Sequence, residues 1–503
     1  MAMFDAPVSR DAFAGFVRQL HQRPDVSGNR LPPVAAASTP FFQPAEGSRS
    51  LPLGCEPGRQ FWPALGYLLW QTLGCTQVRL YPSLAPAKPG LHAVARRPLA
   101  SGGARYPADL RLLVPPGAGG ALAPFAGKIL AYAPQYHRLF VVGDCELGML
   151  RDPAAPTLVI SLDFLRTWEK YGDFAYRLSA VDSGLVLGRL LALLPAFAQV
   201  GVDFDFDAAR LDAMLGLDPE RQASYCVLQL RLGDEAAGGA APALSAAATA
   251  APPARSAGRL SRPFLAAHRL AHGAPARAHA WPAPLLGWQA EAAGAAIALA
   301  PTARPAGDEA MRQRRSHAHA FTGAALPASA VHNCMAAMQA AVRAALQAAD
   351  RGYEAPDLLV CCLRVAGIPA GLYAADAGAA VLRPLAAGDF GAAMSQALLL
   401  QSFDLRKSAF IVHVCTRRWQ AADPRGARAY RIDQMLTGVA LDAGTLAVSD
   451  GGVSAHAYLG FDAQAVADLY HAGGDVMVGA QLCVGAVATG CELARPVHVG
   501  GPA

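Results

Sequence analysis

Ala175-Tyr-Arg-Leu-Ser-Ala-Val-Asp-Ser-Gly184 is answered in the second half of the chain by Ala429-Tyr-Arg-Ile-Asp-Gln-Met-Leu-Thr-Gly438, with Ala-Tyr-Arg and the glycine in register. After each stretch come a helical pattern, a Phe-Asp loop and a second short helix, at Phe206-Asp207 in one half and Phe461-Asp462 in the other. Upstream, Pro356-Asp-Leu-Leu-Val-Cys-Cys-Leu-Arg364 answers Ala108-Asp-Leu-Arg-Leu-Leu-Val114, and Gly371-Leu-Tyr-Ala-Ala-Asp376 answers Lys128-Ile-Leu-Ala-Tyr132. Two diverged copies of one domain are the economical reading. Paired copies pack as a pseudo-symmetric dimer. Helical and strand patterns are mixed without a βαβ rhythm, which predicts an α+β fold.

The chain of 503 residues is long enough for two or three domains, each with its own core. We divide it into an irregular leader over 1–50, a first domain over 51–233, an Ala/Pro-rich linker over 234–261 and a second domain over 262–503. The linker reading rests on a stretch from Asp234 to Ala257 that is almost entirely Ala, Gly, Pro and Ser and cannot bury a core. Within the leader, a short amphipathic segment near Phe13 to His21 precedes a Pro/Ser/Ala-rich run.

Composition narrows the function classes. With 53% hydrophobic and 16% charged residues the chain is not a disordered protein. A net charge of +5, with scattered arginines, carries no nucleic-acid signature. The N-terminus lacks an export pattern. The most apolar run, from Gly184 to Ala198, is interrupted by Arg189 and Pro195 and reads as a buried helix rather than a membrane span. Ten cysteines without a C-x-x-C pair, Cys361-Cys362 among them, read as reduced core residues of a cytoplasmic protein.

The pattern predicts a helix over Phe61 to Leu73, then strands at Asp109 to Val114, Lys128 to Ala133, His137 to Val142 and Thr157 to Ile160. A long helical tract follows from about Leu165 to Val200, then a helix around Ala209 to Leu215 and a strand over Tyr225 to Arg231. Between two elements lies Arg96-Arg-Pro-Leu-Ala-Ser-Gly-Gly-Ala-Arg-Tyr-Pro107. Two glycines free the backbone to expose consecutive N–H groups, Ser101 adds a hydroxyl, and arginines supply charge. The loop reads as an anion cradle with phosphate as its guest.

These residues resemble the nitroreductase-like flavoproteins and, within them, the SagB-type dehydrogenases that oxidise azolines to azoles on peptides. The first half carries the closer match, in the loop from Arg96 to Pro107, in Trp168-Glu-Lys-Tyr-Gly-Asp-Phe-Ala-Tyr-Arg177 and in Asp182-Ser-Gly184. The second half matches the wider superfamily through Arg314-Arg-Ser316, Phe321 and Tyr458-Leu-Gly-Phe-Asp462. The resemblance implies two tandem nitroreductase-like domains, each a mixed, mainly antiparallel sheet flanked by helices, packed as an internal pseudo-dimer. It implies FMN held between them, with Arg97, Ser101, Gly102, Gly103 and Arg105 from one side and Arg314, Arg315, Ser316, Gly460 and Phe461 from the other.

The halves lack complementary parts. The first has no clear Arg-Arg-Ser, and Val202-Asp-Phe-Asp-Phe206 stands in place of the Gly-Phe-Asp loop; the second has no Ser-Gly-Gly loop between Phe321 and Leu358. We therefore expect one composite FMN site per chain, with the other lost. His317-Ala-His319 replaces the usual third cation.

The resemblance further implies that Lys170 and Tyr171 are the catalytic pair. Azoline oxidation needs a base, and a nearby ammonium favours phenolate over phenol, so lysine beside tyrosine suits the task. Neighbours in a regular helix point about 100° apart, so the pair must sit at a helix end or turn, which Gly172-Asp173 permits. Pro424-Arg425 in the second copy cannot do this chemistry. His268 and His272 read as surface histidines rather than a metal site, and Arg177 and Arg431 as matched buried salt bridges.

Three functions stay open at this point. The first is an FMN-dependent dehydrogenase or oxidase acting on a peptide or carrier-bound heterocycle. The second is an NAD(P)H-dependent reductase, and the third a pseudoenzyme scaffold partnering a cyclodehydratase. No metal, nucleic acid or membrane partner is expected.

Overall fold

The computed structural model of the chain describes residues 9–22, 42, 44–45, 48–83, 90–146, 148, 150–246, 258–281, 285–286, 294–299, 307–308, 311, 314, 316, 318–376, 380–401, 403–449, 452–488 and 493–496. Arg315 and His317, both singled out above, lie outside the described residues.

Two antiparallel sheets carry an α+β fold. The first runs Ser245–Ala246, Arg49–Pro52, Arg138–Asp144, Lys128–Ala133, Ala108–Leu113, Thr157–Asp163, Gln222–Leu232, Ala198–Asp203. The second runs Ile297–Ala298, Val381–Ala387, Gly371–Asp376, Asp357–Cys362, Phe410–Arg417, Val476–Ala486, Val453–Tyr458. From Arg138–Asp144 and Val381–Ala387 onward the orders correspond strand for strand, so the sequence repeat is a repeat of whole domains. Central strands such as Thr157–Asp163 are buried along their full length because helices cover one face and loops and short helices the other.

The helices that carry the opening repeat, Ala175–Leu193 and Arg428–Val448, form the seam between the domains. Their burial extends round most of their circumference, so their sequences lack a polar stripe. They cross where side chains vanish. A Cβ on Gly184 would lie 2.0 Å from the Met435 carbonyl oxygen, and one on Gly438 2.2 Å from that of Val181. Beside the crossing, Arg189 grips Asp442 with two hydrogen bonds of 2.9 and 3.1 Å. Both side chains are buried, and Arg189 also donates to the Gln71 carbonyl at 2.7 Å.

Arg177 and Arg431 occupy equivalent places, each crossing to the other domain's sheet. Arg177 donates to the carbonyls of Leu20 and Gly479, while Arg431 donates to the Ser224 carbonyl and lies 3.7 Å from the Tyr225 ring centroid. Arg431 also lies 3.2 Å from His272 Nδ1, so the partners of the two arginines are carbonyls, an imidazole and aromatic rings where the sequence suggested carboxylates.

The segment near Phe13 is the helix Arg10–Gln22, capped by Ser9 as Arg262–Gly273 is capped by Ser261. Its Phe13 is fully buried, 4.7 Å edge-on to Trp419. The stretch read as a linker holds a short helix, Asp234–Ala237, and a strand, Ser245–Ala246, that pairs with Arg49–Pro52. Residues 247–257 of it are outside the described part. Near the C-terminus Leu493–Pro496 returns to the first domain, pairing with Gln77–Ser83.

The helical tract from about Leu165 to Val200 is three elements. Phe164–Tyr171 stops at Gly172, whose φ of 53° no helix accepts; Ala175–Leu193 ends in a 3₁₀ turn around Pro195; Val200 then lies on the strand Ala198–Asp203. By length and composition Phe164–Ala196 could cross a membrane, but most of it is buried inside the protein.

Candidate active site at the seam of the two domains

The loop before Ala108–Leu113 is a single 3₁₀ turn, Gly102–Ala104, with φ of 58° at Gly103, 56° at Ala104 and 45° at Tyr106. Left-handed backbone is natural for glycine and strained for the other two. The anion that this turn holds is internal. Asp182, on Ala175–Leu193, accepts the Ser101 hydroxyl at 2.6 Å and the Gly102 N–H at 3.3 Å. Ser101 Oγ in turn accepts the Tyr106 N–H at 2.8 Å. The turn thus offers one hydroxyl and one N–H to the Asp182 carboxylate, rather than the run of N–H groups and arginines that the sequence suggested for a phosphate.

Lys170 and Tyr171 close the last turn of Phe164–Tyr171, the helix end that their joint use requires. Both reach Gly103: a Cβ there would meet Lys170 Nζ and Tyr171 Oη, each at 2.5 Å. Lys170 Nζ lies 5.2 Å from the Tyr171 ring centroid. Glycine is needed at 103 for its conformation and for its missing side chain alike.

The electrostatics run opposite to the sequence expectation for Tyr171. Burial, then the charges of Asp182 and Tyr458, push the phenol up to about 12, and Arg105 offsets only part of this. Burial, then the Arg105 guanidinium, lowers the Lys170 ammonium from its ordinary value. At neutral pH the tyrosine is a proton donor and the lysine the group with the weakened hold on its proton. Asp182, deprived of water, is raised to about 7 despite its two hydrogen bonds.

The remaining first-domain residues divide. Arg105 is engaged by its own domain, in a 2.8 Å ion pair with Glu169 and a hydrogen bond to the Arg166 carbonyl. Arg97 is buried with its guanidinium 4.5 Å from the Tyr106 ring centroid. From the second domain, Arg314 arrives at the same loop: its Nε donates to the Pro98 carbonyl at 2.5 Å and its Nη1 to Ser316 Oγ at 3.0 Å. Arg314 is only 8% exposed, and burial lowers its guanidinium to about 10. Among the described residues its hydrogen-bond partners are neutral, which leaves a buried cation suited to an anionic group such as a phosphate monoester.

Gly460 and Phe461 are placed differently. Phe461 is fully buried in the second domain's core, 6.2 Å from the His413 ring, and Gly460 gives its carbonyl to Leu399 N–H at 2.9 Å. Asp462 caps the helix Ala463–Leu469. Tyr458, two residues before Gly460, is the second-domain side chain whose charge reaches Tyr171. Asp182 and Tyr458 were not among the candidate residues, although both lie in quoted motifs; pattern alone gives neither a partner.

In the second copy the corresponding space is filled by the chain itself. Arg425, at the position of Tyr171, pairs with Asp423 at 2.8 Å and Asp433 at 2.9 Å. Arg351, in the loop corresponding to the Ser-Gly-Gly turn, pairs with Asp205 at 2.7 Å. Residues 274–281 lie across this pair: Ala276 N–H donates to Asp205 at 2.8 Å, Arg277 N–H to the Arg425 carbonyl at 3.4 Å, and the Trp281 ring centroid is 4.2 Å from the Arg417 guanidinium.

His268 and His272 are not surface residues. They pack 4.9 Å apart against the seam, and burial pulls both below the usual histidine range. His272 Nε2 is 2.8 Å from Asp212. Among the described residues no group of three or more His, Cys, Asp or Glu side chains is placed to hold a metal ion.

Among solved structures, the fold is similar to a protein from Anabaena variabilis described as a nitroreductase, with a TM-score of 0.71, 19% identity, and coverage of 94% of this chain and 99% of that one. A Ralstonia eutropha protein described in the same way matches 42% of the chain and all of its own length, at 17% identity and a TM-score of 0.27. The Escherichia coli microcin synthetase McbBCD complex with truncated pro-MccB17 bound matches 44% of the chain and 94% of its own, at 17% identity and 0.28. No family model and no curated protein matches the sequence. The first of these likenesses establishes a nitroreductase-like fold for nearly the whole chain.

Proposed function

We propose that the chain is a SagB-type, FMN-dependent dehydrogenase or oxidase that acts on an azoline-type heterocycle of a peptide or carrier-bound intermediate. The observation that carries this reading is the convergence of Lys170 Nζ and Tyr171 Oη on Gly103 at a seam to which the second domain brings Arg314. Bound FMN would accept a hydride from the substrate carbon. Arg314 would hold its phosphate, with Arg315 and Ser316 beside it and Arg97 from the first domain. The turn from Ser101 through Gly102 and Gly103 to Arg105 would frame the ring from the first domain, while Gly460 and Phe461, turned into the second domain's core, would only support the loop behind Tyr458.

In this scheme Lys170, its ammonium destabilised by burial, takes the proton from carbon as the neutral amine. Tyr171 stays protonated and orients the heterocycle by donating a hydrogen bond. The second copy, with Arg425 and the Arg351–Asp205 pair in the equivalent place, supports a single composite FMN site. The reading also assigns domain bodies to 51–233 and 262–503, onto which the end of the leader and part of the linker are drawn by strand pairing with the first sheet, together with a cytoplasmic setting and a cyclodehydratase-type partner.

The nitroreductase-like fold also favours a second reading, an NAD(P)H-dependent reductase using the same flavin site. An absorbance spectrum with a flavin-to-protein ratio tests both: one FMN per chain is expected, and a colourless protein that takes up no FMN overturns both. Anaerobic bleaching by an azoline peptide, and not by NAD(P)H, separates the first reading from the second.

A further inference from the structure

Asp182 belongs to none of the roles assigned so far, and its surroundings are unusual for a helix carboxylate. It lies in the middle of Ala175–Leu193, is 6% exposed, and faces a turn with left-handed backbone at Gly103, Ala104 and Tyr106. A strained turn persists when its surroundings over-determine it. Here the restraint is visible at both ends: Asp182 takes the Ser101 hydroxyl and the Gly102 N–H, and through Ser101 Oγ the same clasp holds the Tyr106 N–H.

We propose that Asp182 is a positioning residue, whose carboxylate clasps the turn from Ser101 to Tyr106 and so holds Gly103 beneath Lys170 Nζ and Tyr171 Oη. Released from Asp182, the turn relaxes toward ordinary backbone and the floor under the pair is lost. A second effect follows from charge. Tyr171 is faced by the Asp182 carboxylate, by Tyr458 of the second domain and by Arg105, with Lys170 over its ring. The Asp182 charge opposes formation of a phenolate beside it, which keeps Tyr171 a hydrogen-bond donor. The inference rests on Lys170 and Tyr171 being the reacting pair, but clasp and charge are properties of the chain that need no flavin.

Two variants of the full chain separate the effects. Asp182→Asn removes the charge while an amide can still bond Ser101; Ser101→Ala removes the two hydroxyl bonds of the clasp, to Asp182 and from Tyr106 N–H, while the charge stays. Alkaline titration of Tyr171, read as tyrosinate absorbance with Tyr171→Phe as blank, is expected to move about one pH unit lower in Asp182→Asn and less in Ser101→Ala. Amide hydrogen exchange at residues 102–106 is expected to quicken at least tenfold in Ser101→Ala. Unchanged exchange in Ser101→Ala overturns the clasp, and an unchanged Tyr171 midpoint in folded Asp182→Asn overturns the charge effect. Because neither readout uses FMN or turnover, failure here is distinct from failure of the proposed activity.

Discussion

Tyr176 and Tyr430 stack with their rings parallel, 6.2 Å between centroids and 1° between planes. They are the middle residues of the two Ala-Tyr-Arg triplets, so each meets its own counterpart from the other copy. A residue can touch its equivalent only on the axis that relates the copies. The stack therefore marks the pseudo-dyad, and Gly184 and Gly438, also equivalents, mark it again where the seam helices cross.

From this axis comes the first prediction. An alanine at 184 would place a methyl 2.0 Å from a backbone oxygen, and one at 438 a methyl 2.2 Å from another, and neither oxygen can swing aside as a side chain would. Gly184→Ala and Gly438→Ala should each cost about 1–3 kcal/mol or more. Gly188→Ala, whose nearest neighbour would be Val439 Cα at 3.1 Å, should cost less. Urea unfolding of the three variants gives the order directly; equal midpoints would contradict the crossing.

Gly103→Ala should behave differently. The atoms in the way are the ends of two flexible side chains, Lys170 Nζ and Tyr171 Oη, which can move. Stability should fall by about 1 kcal/mol, from the left-handed backbone. Turnover should fall far more, because Lys170 and Tyr171 are displaced. A thermal scan beside an activity assay reads both, and a variant that keeps its activity would remove the contact from the site's function.

How far the sequence carried this picture depends on the kind of contact. Phe61–Leu73 and Gly371–Asp376 were legible to the residue because helical spacing and bounded apolar runs are local signals. Val200 was placed in a helix because the apolar tract runs on beyond Pro195, and only the 3₁₀ turn ends it. Ala328–Ala349 and Val476–Ala486 were not recognised: alanine blurs the one, and burial on both faces erases alternation in the other. In the site, the turn at Gly102 and Gly103 was legible and its tie to Asp182 was not, since nothing local links Ser101 to Asp182. The sign of the Tyr171 shift was missed for the same reason. Adjacent lysine is visible in sequence; burial and a carboxylate from another helix are not.

Lys170 and Tyr171 should separate in their pH behaviour. A depressed lysine value means that the neutral amine appears at lower pH than for a free lysine, so the rate of flavin reduction should rise with pH as Lys170 loses its proton. Tyr171, raised to about 12, should impose no limb between pH 6 and about 10. Lys170→Met should lose the rising limb along with most of the rate. Tyr171→Phe should retain flavin and the Lys170 limb while dehydrogenation falls by about tenfold or more, the loss of one orienting hydrogen bond; unchanged turnover would remove Tyr171 from the mechanism.

Asp182 should also leave a mark on stability. Its folded value, about 7, lies above the ordinary 3.8, so the folded state holds this proton more tightly than the unfolded chain does. Stability from this group is present below pH 4 and is lost as pH rises toward 7. Asp182→Asn has no such proton to lose. The stability of the variant relative to wild type should therefore improve between pH 4 and about 7, by at most about 4 kcal/mol, and stay level above that range. Denaturant unfolding at several pH values tests the sign; a relative stability that worsens over that window would contradict it.

The filled second copy gives the last prediction. Asp205 corresponds to Gly460 by its place two residues before the helix-capping aspartate, Asp207 in one domain and Asp462 in the other. Where Gly460 lets the Tyr458 hydroxyl pack close against the backbone, Asp205 anchors Arg351 and the Ala276 N–H. Asp205→Gly would remove both anchors, but Pro424, Arg425 and its two aspartate partners would remain where Lys170 and Tyr171 stand in the first domain. The Arg351 pair is partly exposed and its loss should cost about 1 kcal/mol, to which the buried Arg428, 3.9 Å from Asp205, adds the loss of a carboxylate. The flavin-to-protein ratio should stay at one, because among the described residues the substitution frees no cation corresponding to Arg314. A ratio rising toward two would mean that residues 274–281 and Asp205 alone had been keeping a second competent site closed.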